Sequence, residues 1–126
     1  MEMQIVFPGG ARVDAQMGNL TVVTHQDGSA PSPFALFLAS VGTCAGIYVL
    51  SFCQHRNLPT EGIRILQRVH SNPATGMVER IELDIEVPPD FPEKYHEALI
   101  RAADQCAVKK HLEHPPAIEV RTTVVV

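Results

Sequence analysis

The chain has 126 residues, of which 45% are hydrophobic and 19% are charged, and its formal net charge is -4. This length and composition are typical of a globular protein, and we predict a single domain over residues 1–126. The 10 lysines and arginines are scattered along the chain, with Lys109 and Lys110 as the one adjacent pair, which excludes a basic face for nucleic acid or an anionic membrane surface. Residues 1–5 lack a basic segment followed by an apolar one, so we expect no secretory signal and predict a cytoplasmic location.

The N-terminal part of the chain predicts a meander of short antiparallel strands. Weakly alternating segments at residues 4–7, 11–17 and 20–25 are separated by Pro-Gly-Gly and Gly-Asn, which favour turns. A further Asp-Gly pair follows the last segment and indicates the end of the meander.

Residues 34–53 contain no charged side chain, so they form either a membrane span or a helix buried in a core. Their number favours the span, because about 20 apolar residues cross a hydrocarbon layer of ~30 Å. Gly42 and Gly46 also match the small-xxx-small pattern of packed transmembrane helices.

Three observations favour the buried helix instead. Serine, threonine and glycine dilute the apolar stretch, residues 29–33 carry no lysine or arginine to orient a span, and the rest of the chain is amphipathic. We therefore predict a core helix that is capped by Ser32, has Pro33 at its first position and ends near His55. We expect no membrane partner.

The second half of the chain predicts a hairpin, two helices and a last strand. Strands are expected at residues 62–71 and 77–87, and the carboxylates of Glu82, Asp84 and Glu86 alternate with apolar residues, which indicates a solvated face. Tyr95, Leu99, Ala102 and Cys106 share one face of a helix from about residue 93, a short helix covers 108–113, and a strand covers 118–126. This order of elements predicts the α+β class.

The three cysteines differ in what they can reach. Cys44 and Cys53 lie ~13.5 Å apart along the predicted long helix, whereas bridged cysteines need Cα atoms within about 7 Å, so these two cannot pair. Cys53 shares the helix face of Gly42 and Gly46, where we expect an ordinary buried thiol. Cys44 and Cys106 can meet only through the fold, and spacing alone leaves open whether they are a functional pair or two core residues.

Histidines offer no convincing metal or nucleophile site. Cys106, His111 and His114 have the spacing C-x4-H-x2-H, but closed zinc sites usually show two recognisable ligand pairs, so we expect no metal. Cys44 and His55 lie ~16 Å apart along one helix axis, too far for a Cys-His pair.

The segment PFALFLASVGTCA at residues 33–45, followed by AADQC at 102–106, resembles the OsmC/Ohr family of osmotically inducible and organic-hydroperoxide-resistance proteins. The resemblance covers nearly the whole chain and includes the order of its elements. It implies the OsmC-like fold, in which antiparallel sheets pack around a long central helix, and an intertwined homodimer with a site at the subunit interface.

The resemblance also implies a thiol-dependent peroxidase of oxidative stress that uses no cofactor. Cys44 would be the peroxidatic cysteine, oxidised to a sulfenic acid by a small organic hydroperoxide, and Cys106 the resolving cysteine. A dithiol reductant, either a small molecule or a lipoyl protein, would complete the cycle. Because an unperturbed thiol has a pKa of about 8.5, the family site uses an arginine from the N-terminal strands to hold the thiolate. Arg12 is the only arginine before the long helix and is the candidate for this role, the alternative being a solvated arginine of the hairpin.

Two departures from the family pattern qualify the expected activity. The peroxidase branch has a glutamate ten residues before the first cysteine that holds the arginine, and here that residue is Phe34, which predicts a less activated Cys44. The second cysteine is commonly followed by proline, and here by Ala107. The alternative function is therefore a non-catalytic OsmC-like dimer that binds a small hydrophobic ligand at its interface.

Overall fold

A computed structural model describes residues 1–125, which group into two compact units, Met1–Ser40 and the residues from Val41 onward. The first unit holds three strands: β1 (Gln4–Gly9), β2 (Arg12–Met17) and β3 (Leu20–His25). They pair antiparallel in the order β1-β2-β3, as the turn signals predict. Gly18 has a φ of 58° in the tight turn that pairs Met17 with Leu20, a conformation that glycine adopts without steric cost.

The long helix α1 (Pro33–His55) begins in the first unit and continues into the second. The Ser32 hydroxyl accepts a hydrogen bond from the N–H of Ala35 at 3.2 Å, which confirms the predicted N-cap. The helix ends where Asn57 takes the left-handed conformation with a φ of 53°. By length and composition α1 could cross a membrane, and 28% of its most apolar stretch is buried.

The second unit contains a two-stranded antiparallel hairpin of β4 (Arg64–Ser71) and β5 (Val78–Glu86). One face of the hairpin is solvated and carries cross-strand pairs of arginine or histidine with the acidic residues of β5, as the alternation predicts. The other face lies against α1, where a Cβ atom on Gly46 would be 3.9 Å from Ile65 and one on Gly42 would collide with the Gln67 side chain. The small residues of α1 therefore let β4 approach the helix closely.

A 3-10 turn (Glu93–Tyr95) and two short helices, α2 (His96–Ala103) and α3 (Ala107–Glu113), complete the described elements. A core cluster joins α1 to α2 and to the loop before it, and its members are Val49, Phe52, Cys53, Phe91 and Leu99. The α+β class is confirmed, since antiparallel sheets combine with three helices. The single domain over residues 1–126 stays a prediction.

Two sequence-based expectations are wrong. Cys106 does not lie on α2, because that helix ends at Ala103, and Cys106 is instead the N-cap residue of α3. The last strand, predicted over 118–126, does not form within residues 118–125, whose side chains are exposed; Val126 lies outside the described residues. A strand needs a neighbouring edge for its backbone hydrogen bonds, and alternation of side chains alone does not supply one.

Candidate thiol site

The turn between α2 and α3 places Cys106 against α1. Its sulfur accepts a hydrogen bond from the N–H of Lys109 at 3.4 Å, so the side chain caps α3. The residue is 2% exposed, and Sγ lies 3.9 Å from the carbonyl oxygen of Val41. Capping and burial together fix the sulfur on the side of α1 that carries Cys44.

Cys44 is half-buried and faces the beginning of α3. The backbone N–H of Val108 donates to its sulfur and is the main cause that holds the pKa of Cys44 below its usual value. The thiol of Cys106 and the N–H of Ala107 act in the same direction, while partial burial opposes them. The residues that stabilise a thiolate at Cys44 are thus backbone donors of a helix start that the sequence places more than sixty residues away.

The pKa of Cys106 moves in the opposite direction. Burial raises it, and the neighbouring Cys44 raises it further by hydrogen bonding and charge, whereas the N–H of Lys109 lowers it. The first proton of the pair therefore leaves Cys44, and Cys106 keeps its own. The structure brings these two predicted site residues together.

Cys53 has a different environment on the same helix. It is fully buried in the core cluster, and burial raises its pKa, opposed only by the charge of Arg56. A buried thiol without donors to its sulfur stays protonated and is a poor nucleophile.

An open apolar groove of about 470 Å³ adjoins Cys106 in the second unit. Asp84, Asp104 and Lys109 provide its polar groups, and Lys109 is paired with Asp104. The remaining lining residues are apolar: Val41, Ile81, Leu83, Ile85, Ile100, Ala103 and Leu112.

Arg12 belongs to the first unit and has an acidic partner that sequence reasoning missed. Its Nε donates to Oδ1 of Asp14 at 2.9 Å and its Nη2 donates to Oδ2 at 2.8 Å. The Asp14 side chain is 5% exposed and that of Arg12 is 45% exposed. Hydrogen bonding to Arg12 holds the pKa of Asp14 below its usual value, although burial acts in the opposite direction.

Phe34 occupies the first turn of α1, where it is 55% exposed and stacks on Phe37 with ring centroids 5.5 Å apart. It makes no bond to a charged group in any described contact. Although Phe34 stands where the family has its glutamate, Arg12 is not left without an acid. The signal was present in the sequence, because residues 12 and 14 of a strand point to the same face.

Among the described residues, no group of three or more His, Cys, Asp and Glu side chains is placed to hold a metal ion. His111, one of the histidines considered above, donates through Nδ1 to the carbonyl oxygen of Ala107 at 2.7 Å, within its own helix. The arrangement around Cys44 and Cys106 is that of a dithiol site.

The elements define an α+β protein in which the thiols of Cys44 and Cys106 are neighbours. The chain belongs to the OsmC-like protein family, whose model matches residues 26–121. No curated protein matches the sequence.

Solved structures share the fold at low sequence identity. A Psychrobacter arcticus protein named for osmotic stress and detoxification has a TM-score of 0.71 at 17% identity, over 86% of this chain and 85% of that one. An OsmC-like protein from Mycoplasma pneumoniae has a TM-score of 0.70 at 10% identity, over 90% and 87%. The organic hydroperoxide resistance protein OhrB of Bacillus subtilis has a TM-score of 0.53 at 15% identity, over 91% and 93%.

Proposed function

We propose that this protein is a cytoplasmic thiol-dependent peroxidase that reduces small organic hydroperoxides. The observation that carries the proposal is the neighbouring pair of thiols, in which Cys106 is buried against the side of α1 that carries Cys44, with the pKa of Cys44 lowered and that of Cys106 raised. Family membership and the fold shared with a hydroperoxide resistance protein support the same chemistry.

In the first step the Cys44 thiolate attacks one peroxide oxygen and the O–O bond breaks. Cys44 becomes a sulfenic acid, and the alkoxide leaves as an alcohol after taking a proton. Cys106 is a suitable proton donor, because its thiol is still protonated when Cys44 is a thiolate and it lies next to the Cys44 sulfur.

In the second step the sulfur of Cys106 attacks the sulfenic sulfur of Cys44. An S–S bond forms and the S–O bond breaks, and the oxygen leaves as hydroxide that takes a proton from solvent to become water, so the two sulfurs supply the two electrons that reduced the hydroperoxide. A dithiol then reduces the disulfide by exchange, and we propose either a small dithiol or a lipoyl protein for this role. Neither step uses a metal or an organic cofactor.

We propose Arg12 as the cation that accompanies the Cys44 thiolate. The proposal rests on the family resemblance, which assigns this role to an arginine of the N-terminal strands. The half-exposed guanidinium, fixed by Asp14 through Nε and Nη2, keeps Nη1 for a further acceptor.

We also propose that the working form is a homodimer. Ile47 on α1 is 62% exposed, and Ile118, Val120 and Val124 in the C-terminal segment are 85 to 92% exposed. Apolar side chains in this number need cover, and a second copy offers both a helix face and a sheet edge. Sedimentation at low micromolar concentration should show dimers without detergent; a stable monomer would contradict this part of the proposal.

A second function, binding of a small hydrophobic ligand without catalysis, is favoured by one observation, the groove of about 470 Å³ with its apolar lining. In that case Cys106 would line the binding site, and Cys44 would have no part in binding.

One experiment separates the two functions. Stoichiometric cumene hydroperoxide is added to the reduced protein, and free thiols and disulfides are mapped on peptides from a non-reducing digest. The peroxidase should lose two thiols per chain and link Cys44 to Cys106, with Cys53 free. No bridge after treatment, or Cys53 in the main bridge, would overturn the peroxidase and leave ligand binding.

A further inference from the structure

The groove in the second unit lies beside Cys106. This residue is part of the lining, whereas Cys44 is not among the described residues that line the groove. Val41, whose carbonyl oxygen is 3.9 Å from the sulfur of Cys106, belongs to the same wall. A molecule in the groove is therefore placed next to Cys106 rather than next to Cys44.

The groove has the size and the lining of a site for a small molecule with an apolar chain. Its volume of about 470 Å³ falls within the range of small-molecule sites, roughly 300–1,000 Å³. Isoleucine, leucine, valine and alanine form most of its described wall. The lysine of that wall, Lys109, is already paired with Asp104, so its charge is not free to attract an anion. A neutral molecule with an apolar chain suits this lining best.

Of the two reactants in the proposed cycle, the reductant fits this position better than the hydroperoxide. The hydroperoxide must reach Cys44, where the first step takes place. The reductant must reach one sulfur of the disulfide between Cys44 and Cys106, and the groove borders Cys106. Because Cys106 exposes 2% of its surface, a reactant needs such an opening to approach it.

We propose that the groove admits the reducing dithiol and that a thiolate of this reductant attacks the sulfur of Cys106, with Cys44 as the leaving sulfur. The inference rests on the proposed function, in which peroxide reduction leaves these two residues as a disulfide. The S–S bond breaks, its electron pair stays on Cys44 as a thiolate, and Cys106 carries a mixed disulfide. The second thiol of the reductant then attacks the reductant's own sulfur in that bond and passes its proton to Cys106. The reductant leaves as a cyclic disulfide, so it supplies both electrons.

The surroundings of the two sulfurs favour the same direction of attack. Thiol–disulfide exchange is faster when the leaving thiol has the lower pKa. Hydrogen bonding from the N–H of Val108 lowers the pKa of Cys44, whereas burial raises the pKa of Cys106. Cys44 is therefore the better leaving group, and it departs as the thiolate that the next hydroperoxide requires.

A neutral monothiol identifies the attacked sulfur, because it stops at the mixed disulfide. The full chain is oxidised with cumene hydroperoxide, treated with 6-mercaptohexan-1-ol, quenched early with N-ethylmaleimide and mapped on peptides. The mixed disulfide should lie on Cys106 and the maleimide on Cys44. 2-Mercaptoethanol, a neutral thiol that lacks four of the methylene groups, should react about tenfold more slowly, because it buries less apolar surface in the groove.

A groove variant tests the route of entry. Ile100 lines the groove and is 61% exposed, so Ile100→Gln makes the wall more polar at a position where folding tolerates it. It should slow the reaction with 6-mercaptohexan-1-ol by about threefold and narrow the difference between the two thiols. Met77→Gln is the matched control, because Met77 is 68% exposed and is not among the described lining residues. The control should leave both rates unchanged, and the thermal midpoint of each variant checks its folding.

The outcomes separate this inference from the function on which it rests. If the disulfide forms but the mixed disulfide lies on Cys44, the direction of attack is wrong and the peroxidase stands. Equal rates with the two monothiols in the wild type, or equal effects of Ile100→Gln and Met77→Gln, would overturn the groove as the route of entry. If hydroperoxide forms no disulfide between Cys44 and Cys106, the proposed function fails and the inference fails with it.

Discussion

Cys44 and Cys53 stand on one helix and have opposite surroundings. Cys44 is half-buried and faces the N–H groups of Ala107 and Val108, while Cys53 is enclosed by Phe52, Leu99 and other apolar side chains. Their pKa values move apart, with Cys44 lowered by backbone donors and Cys53 raised by burial. The comparison teaches that the reactivity of a thiol is decided by the element that packs over it, and not by the helix that carries it.

The largest effect should come from removing the Cys44 thiol, with removal of the Cys53 thiol as the comparison. Cys44→Ser should lower the rate of hydroperoxide reduction by at least ~100-fold, because it removes the nucleophile. Cys53→Ala should keep the rate and lower the free energy of unfolding by about 1–2 kcal/mol, the range for loss of a small buried group. Steady-state assays and urea denaturation measure the two quantities; normal turnover in Cys44→Ser would break the comparison.

The order in which the cysteines are alkylated should sharpen the comparison between Cys44 and Cys53. Only the thiolate reacts, so lowering the pH slows every cysteine, and a thiol with a lowered pKa keeps reacting to lower pH. Iodoacetamide should therefore modify Cys44 first, then Cys106, with Cys53 protected by burial. Peptide mass spectrometry over a pH series gives the midpoint for each site, and unfolded protein, in which the three should coincide, is the control. Faster labelling of Cys53 than of Cys44 would contradict the assignment.

A smaller effect is expected at Ala107, where the family commonly has proline. Proline has no N–H, is well tolerated at the first position of a helix, and suits the extended conformation of Cys106 before it. Ala107→Pro should raise the alkylation midpoint of Cys44 by less than about one pKa unit, because Val108 remains the main donor. Ala107→Gly retains the N–H and should behave as the wild type. An unchanged midpoint in the proline variant would show that the N–H of Ala107 does not lower the pKa of Cys44.

The smallest effect is expected at Phe34. Because this side chain is 55% exposed and Arg12 already has Asp14, Phe34→Glu should fold normally. It should change the rate of Cys44 with hydroperoxide by less than about twofold, in the range of surface substitutions away from a site. Stopped-flow kinetics measure the rate of Cys44 with hydroperoxide, and Phe34→Gln is the uncharged control. A clear acceleration specific to the glutamate would show that the missing family acid limits this protein.

Local signals account for what the sequence could predict. Ser32 and Pro33 mark the beginning of α1, and the alternation of Ile81, Leu83 and Ile85 gives the faces of β5, because caps and periodicity act within a few residues. The chain order of these elements was enough for the α+β class.

Contacts between distant parts of the chain could not be predicted from these local signals. The C-terminal strand was predicted from alternation, but a strand also needs a neighbouring edge, and residues 118–125 show none. The donors to Cys44 come from α3. Their position depends on the turn at Cys106, which lies beyond the end of α2 at Ala103. Asp14 could have been found from its spacing to Arg12, whereas its burial could not.

The central claim is that Cys44 is oxidised first and Cys106 captures the product, and trapping the sulfenic acid tests it most directly. Cys106→Ser is treated with stoichiometric cumene hydroperoxide in the presence of dimedone, and the adduct is located by peptide mass spectrometry. The account predicts one adduct on Cys44, none on Cys53, and no adduct in the wild type, where the disulfide forms instead. An adduct on Cys106 in Cys44→Ser at the wild-type rate, or no adduct on Cys44 in Cys106→Ser, would contradict it.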